Sequence, residues 1–118
     1  MTKYLGSYIY SIKCNTTGLI YIGSSIEPMN VRLGKHLTDL RGYMGINGNK
    51  PRAYRSSFEV VFNDNYEMKK IEDWPCENKH DLEIREGLHI LKNGSCNKRL
   101  PCKLDKDLYD LDSLPSLM

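Results

Sequence analysis

Tyr8-Ile9-Tyr10-Ser11-Ile12-Lys13-Cys14-Asn15-Thr16-Thr17-Gly18-Leu19-Ile20-Tyr21-Ile22-Gly23 decides how this chain is read. Two short runs of β-branched and aromatic residues, each carrying tyrosine, flank a loop with turn chemistry. They predict a β-hairpin, with strands over about residues 7–13 and 19–24. With Asn15-Thr16 as a tight turn, Tyr10 falls opposite Tyr21 and both rings share one face. Side chains alternate along a strand, so a slip of one residue would part them.

Downstream of the hairpin, Pro28 suits the first turn of a helix that runs to about Arg41 and stops at Gly42. Met29, Leu33, Leu37 and Leu40 recur at helical spacing as its buried stripe. Arg32 and His36, four residues apart, share a neighbouring face. Residues 41–56 then change character: three glycines, two asparagines and Pro51 predict a loop. That loop carries Arg41, Lys50, Arg52 and Arg55 with no acidic residue, interleaved with Tyr43 and Tyr54. Lysine and arginine pair with phosphates and tyrosine stacks on bases, so Lys35, Arg41, Lys50, Arg52, Arg55 and Tyr54 are candidate nucleic-acid contacts.

Residues 56–62 fit either a strand, from their β-branched residues, or a short helix capped by the paired serines. Tyr66, Met68, Lys70 and Glu72 alternate with Glu67, Lys69, Ile71 and Asp73, as in an edge strand with imperfect apolar alternation. A second helix is expected from Asn78, a cap residue, to about Lys92, ahead of Asn93-Gly94. Ile84, Leu88 and Leu91 mark one buried stripe and Leu82 and Ile90 another. Glu86 lies midway between the last two, four residues from each. A carboxylate there is partly buried, and needs a cation or hydrogen bonds to offset the cost.

At 118 residues the chain is one small domain. No apolar run approaches the ~20 residues of a membrane span. The N-terminal residues lack a signal peptide's apolar stretch, which predicts an intracellular protein (cytoplasm, or nucleus or host cell if viral) with no membrane partner. Net charge is only +2, but the tail 104–118 holds four aspartates against Lys106. Without it the body has 16 basic and 11 acidic residues, a surplus of five that favours a polyanionic partner. We therefore divide the chain into a domain over 1–103 and an acidic tail over 104–118. Cys14, Cys76, Cys96 and Cys102 contain no C-x-x-C, so free thiols are expected over a disulfide framework.

These residues together resemble the GIY-YIG nuclease family. Tyr10 matches the tyrosine of the first motif, and Tyr21 and Gly23 match the second. Arg32 matches the helix arginine, Glu86 the metal-binding glutamate, and Asn97 the asparagine that often closes the family's core. His36 stands where many members carry a polar catalytic helper. Tyr8 departs from the pattern: it occupies the place of the first motif's glycine, and Gly6 lies two residues earlier. The match covers roughly residues 4–101 and is closest in kind to small stand-alone members of bacterial and large-virus type. It implies an α/β fold of the α+β sandwich type: a small, mainly antiparallel three-stranded sheet flanked by helices. It implies a DNA endonuclease using one Mg²⁺ or Mn²⁺ ion at Glu86 and leaving 5′-phosphate and 3′-hydroxyl ends.

The residue types suit that chemistry. Phosphodiester hydrolysis needs an activated water, positive charge on the developing anion and help for the leaving oxygen. One glutamate can hold a hard divalent ion that keeps its own waters. Arg32 supplies permanent charge, and Tyr10 or Tyr21 could take the water's proton, directly or through His36. Two other readings compete. One is a catalytically inactive nucleic-acid-binding module of the same fold. The other is a zinc protein using Cys76, His80, Cys96 and Cys102. No targeting module is appended, so specificity would come from the 41–56 loop, the acidic tail, a partner protein or a homodimer.

Overall fold

The computed structural model describes residues 2–45, 53–94, 96–115 and 117. A 3-10 turn, Lys3–Gly6, leads into β1 (Tyr8–Cys14) and β2 (Ile20–Ser25). Then come α1 (Met29–Tyr43), the single turn α2 (Phe58–Val61), β3 (Tyr66–Asp73) and α3 (Lys79–Asn93), with two further 3-10 turns in the tail. The three strands form one antiparallel sheet in the order β2-β1-β3. This is the expected α/β sandwich, and β3 is an edge strand, as its imperfect alternation predicts.

The central strand is covered on both faces, which is why all of β1 except Lys13 is buried. On one face Tyr8, Tyr10, Ile12 and Cys14 meet α2, and the expected α1 stripe of Met29, Leu33, Leu37 and Leu40 packs over them. On the other, Ile9 and Ile22 meet Leu82 and Ile90 of α3. Each layer excludes water from one side of the sheet, the main favourable term in a domain of this size. Asn78 caps α3 as expected, its side-chain oxygen accepting from the Asp81 N–H at 3.0 Å.

Several expectations need correction. The hairpin turns two residues wider than a tight Asn15-Thr16 turn, closed by Gly18 N–H to Cys14 O at 2.9 Å and Cys14 N–H to Leu19 O at 3.0 Å. Gly18 takes φ 78°, which lets the loop close at that width. Tyr10 therefore pairs with Gly23, and Tyr21 with Ile12. A shift of two preserves side-chain parity, so both tyrosine rings stay on one face. α1 runs through Gly42, which is buried within it, and ends at Tyr43, with Gly45 taking φ 71° two residues beyond. Residues 56–62 resolve as the turn of helix α2.

β3 contains a bulge: Ile9 pairs with Glu72 but Tyr10 pairs with Lys70, leaving Ile71 extra. Strict alternation therefore fails, and Glu72 leaves the face of Tyr66 and Met68 and turns towards α3. On α3 itself Leu91 is exposed, because Leu82, Leu88 and Ile90 make the buried side. In the tail, Lys92 Nζ donates to Leu114 O at 2.9 Å, and Leu114 is buried.

Candidate active site

Gly23 and Tyr10 face each other across the hairpin, and the pairing explains the glycine. A Cβ at position 23 would collide with the Tyr10 ring and its hydroxyl. The absence of a side chain lets the fully buried Tyr10 lie across β2 and reach α1. There its hydroxyl stands 2.6 Å from His36 Nε2 and accepts from Arg32 Nε at 3.2 Å. Since the phenol oxygen accepts from Arg32, its own proton points to His36, and the imidazole receives it as a neutral acceptor. Burial, then the Arg32 charge, pushes His36 down to about 4, consistent with that neutral form. The spacing of Arg32 and His36 on one helix face thus does what the sequence predicts.

Tyr21 packs beside the same imidazole, with ring centroids 5.4 Å apart, and is 6.4 Å from the Tyr10 ring. Burial, and then the Glu86 carboxylate, pushes the Tyr21 phenol up to about 12. Burial raises Tyr10 as well, reinforced by Tyr21. Burial works against the Arg32 charge, but the Tyr10 and Tyr21 oxygens outweigh it and the guanidinium is held more firmly protonated.

Glu86 comes from the opposite face of the sheet. β2 is an edge, so α3 can present a side chain around it. Ser24, whose side chain alternates away from Gly23 and towards α3, donates to the Glu86 carboxylate. Burial raises the Glu86 pKa and the Ser24 hydrogen bond only partly offsets it. The edge of β2 is closed by Asn97: its amide nitrogen donates to Ile22 O and its carbonyl accepts from Ile22 N–H, both at 2.9 Å. Cys96 N–H adds a bond to Ile20 O at 3.2 Å. Asn97 thereby serves as an edge-strand surrogate, and it satisfies backbone groups that would otherwise face the cleft.

A cleft of about 700 Å³ opens at this edge, lined by Tyr21, Arg32, His36 and Glu86 among others. Tyr10 lies behind its wall. Of the predicted nucleic-acid contacts, Tyr54 and Arg55 line the cleft. Lys35 does not; it is exposed and pairs with Glu27 at 2.7 Å. Arg41 is exposed on α1 outside the lining, and Lys50 and Arg52 lie outside the described residues.

Sequence reasoning missed four contributors. Ser24 could have been found from strand alternation alone. Lys98 and Arg99 line the cleft just after Asn97. Tyr8, the departure from the family's glycine, donates its hydroxyl to Glu27 O at 2.6 Å and so ties the central strand to the corner that starts α1.

A single glutamate beside an open cleft fits a hard divalent ion that retains most of its waters. Among the described residues no group of three or more histidine, cysteine, aspartate or glutamate side chains could hold a metal. That weighs against the zinc reading, whose Cys96 instead donates its thiol to Ile20 O at 3.5 Å.

A family model for the GIY-YIG catalytic domain matches residues 6–74, more than half of the chain, and the chain belongs to that family. The match ends at Trp74, so Glu86 and Asn97 join the site through their geometry. Among solved structures, the catalytic domain of the homing endonuclease I-TevI is similar at 25% identity, with a TM-score of 0.55. The similarity covers 79% of this chain and 98% of that one. No curated protein matches.

Proposed function

We propose that this protein is a divalent-metal-dependent DNA endonuclease, acting through Tyr10, Tyr21, Arg32, His36 and Glu86. The observation that supports this most is the meeting of groups from both faces of the sheet at one cleft. Tyr21, Arg32 and His36 approach it from the α1 side and Glu86 from the α3 side. Glu86 would hold one Mg²⁺ or Mn²⁺, which supplies a Lewis acid at the scissile phosphate.

Tyr21 is the better candidate to take the proton of the attacking water, because it lines the cleft whereas Tyr10 is fully buried. Its high pKa is set in part by the Glu86 charge, so neutralising that charge makes its phenolate easier to form. Tyr10 orients Arg32 and His36 through its hydroxyl. Arg32, paired with a neutral phenol and, among the described residues, with no carboxylate at hydrogen-bond distance, keeps its charge for the equatorial oxygens of the transition state. His36 is a neutral imidazole whose acceptor nitrogen holds the Tyr10 proton, so it would exchange a proton only with that phenol. The catalytic unit is residues 1–103. The tail 104–118 is an appendage, though its Leu104 lies against Gly87 on α3.

Nicking of supercoiled plasmid tests this reading. Wild-type protein in Mg²⁺ or Mn²⁺ is expected to relax the plasmid, and Glu86→Ala to lose roughly 100-fold or more in rate. Wild-type protein that leaves the plasmid intact in both metals would defeat the enzyme reading and leave a binding module of the same fold.

A further inference from the structure

The cleft is wider than the catalytic groups need, and its rims carry their own chemistry. One rim is the segment after α3. Asn97 and Cys96 fasten it to β2, so Lys98 and Arg99 project from an anchored backbone while their side chains are exposed. The other rim is Tyr54 and Arg55, next to α2. Lys98 bridges the two, with Nζ 4.5 Å from the centroid of the Tyr54 ring. That ring is held edge-on by Phe58 and Tyr43, at centroid distances of 5.7 Å in both cases. It also donates its hydroxyl to Glu59. It is therefore oriented by its neighbours while 39% of its surface stays exposed.

The charge of the lining is uneven. Arg32, Arg55, Lys98 and Arg99 face Asp39 and Glu86. Arg55 is 3.4 Å from Asp39, which accounts for one of the acids, and Glu86 is assigned to the metal. Among the described lining residues, the two cations of the anchored segment have no acid of their own to answer them. A lysine resting on an aromatic face is a weak contact at an exposed site and is readily exchanged for a phosphate.

We propose that the two rims form a track for an unpaired DNA strand, in which Lys98 and Arg99 take backbone phosphates and Tyr54 stacks on a base. This deepens the endonuclease reading and rests on it for the placement of the scissile bond. Entry of a strand moves Lys98 from the ring to a phosphate, and the vacated face receives the base. A duplex keeps its base faces stacked internally and cannot use Tyr54, so the track favours a single strand or a frayed segment.

Fluorescence anisotropy on the full chain in EDTA reads binding without cleavage, using a labelled single-stranded oligonucleotide and its duplex. On the single strand, the Lys98→Ala/Arg99→Ala variant is expected to flatten the slope of log affinity against log salt by about 1.4, near 0.7 per lost phosphate contact. Charge reversal at the same positions should weaken binding further. A control pair, Lys13→Ala/Lys69→Ala, lines a cavity that shares no residue with the cleft and should leave the slope in place. Tyr54→Ala should weaken single-strand binding by roughly fivefold or more and duplex binding little, with Tyr54→Phe retaining the wild-type value. An unchanged slope, equal flattening by the control pair, or equal loss on duplex after Tyr54→Ala overturns the proposal. Failure of wild type to nick plasmid while these binding results hold would remove the endonuclease reading and leave the track standing.

Discussion

Two clusters in this protein are built alike and do different things. On α1, Arg32 and His36 converge on Tyr10 of β1. On α3, Arg85 and His89, also four residues apart, converge on Glu72 of β3. In the second cluster Arg85 grips both carboxylate oxygens, the second at 3.0 Å, and stacks 4.1 Å over the Trp74 ring. His89 Nε2 lies 2.7 Å from the same carboxylate. Burial would raise the Glu72 pKa, but Arg85 and then His89 hold it below the usual carboxylate range. Burial keeps His89 lowered despite that carboxylate.

The strand residue makes the difference. A carboxylate neutralises its arginine and leaves the second cluster closed, a staple between α3 and β3. A phenol leaves Arg32 with its charge intact beside an open cleft. The same i,i+4 arginine and histidine give a brace in one place and the proposed reaction machinery in the other.

Exchanging the two arginines for alanine is the strongest way to break that contrast. Arg32→Ala is expected to cost about 100- to 1,000-fold in plasmid-nicking rate, near 3–4 kcal/mol in the barrier, with little change in melting temperature. Arg85→Ala should do the reverse. It leaves Glu72 without its main partner, with only His89 still beside the carboxylate, and should cost about 3 kcal/mol in denaturant-monitored stability, while the rate per folded molecule holds. If Arg85→Ala lowers the rate as much as Arg32→Ala does, the two clusters are not functionally separate.

The next effect is in pH. His36 titrates near 4 when folded, against an ordinary value of 6.5. Above 6.5 it is neutral in both states and contributes no slope. As pH falls from 6.5 to 4 the unfolded chain takes up the proton and the folded one resists it. Stability is therefore lost across that window, by at most about 1.4 kcal/mol per pH unit from this group. His89 is depressed too and acts in the same direction. The low pKa of Glu72 adds a further loss below its ordinary value of 4.5. His36→Gln should flatten the upper part of the decline in urea-melt midpoints, and an unchanged profile would mean that His36 is not held neutral by its surroundings.

The sequence exposes the first cluster and hides the second for a physical reason. Arg32, His36, Tyr10 and Tyr21 are readable because helix and strand periods are regular through α1 and the hairpin, and the two-residue error in the turn keeps parity. Glu86 between Leu82 and Ile90 is readable on the same grounds. Glu72 is not, because the extra residue at Ile71 reverses its face and nothing local in Tyr66–Asp73 marks that bulge. Lys98 and Arg99 are hidden differently. Their position depends on Asn97 binding a strand 75 residues earlier in the chain, a tertiary contact that no local pattern encodes.

The smallest expected effect tests how the reaction cluster is held. Arg32 owes its place to the start of α1, where Pro28 offers no side-chain cap. The corner is fixed by Glu27, whose N–H donates to Ser25 Oγ at 3.0 Å and whose carbonyl accepts from Tyr8. Tyr8 fills the position where the family's motif has glycine, and it is buried with its ring 6.1 Å from that of Tyr10. Tyr8→Phe keeps the ring and removes only the hydrogen bond, a loss of about 1 kcal/mol in stability. If the bond serves only the core, the nicking rate per folded molecule will not change. If it sets the entry of α1, kcat should fall a few-fold with KM unchanged, because an arginine slightly displaced from the transition state loses charge stabilisation there and not in the ground state.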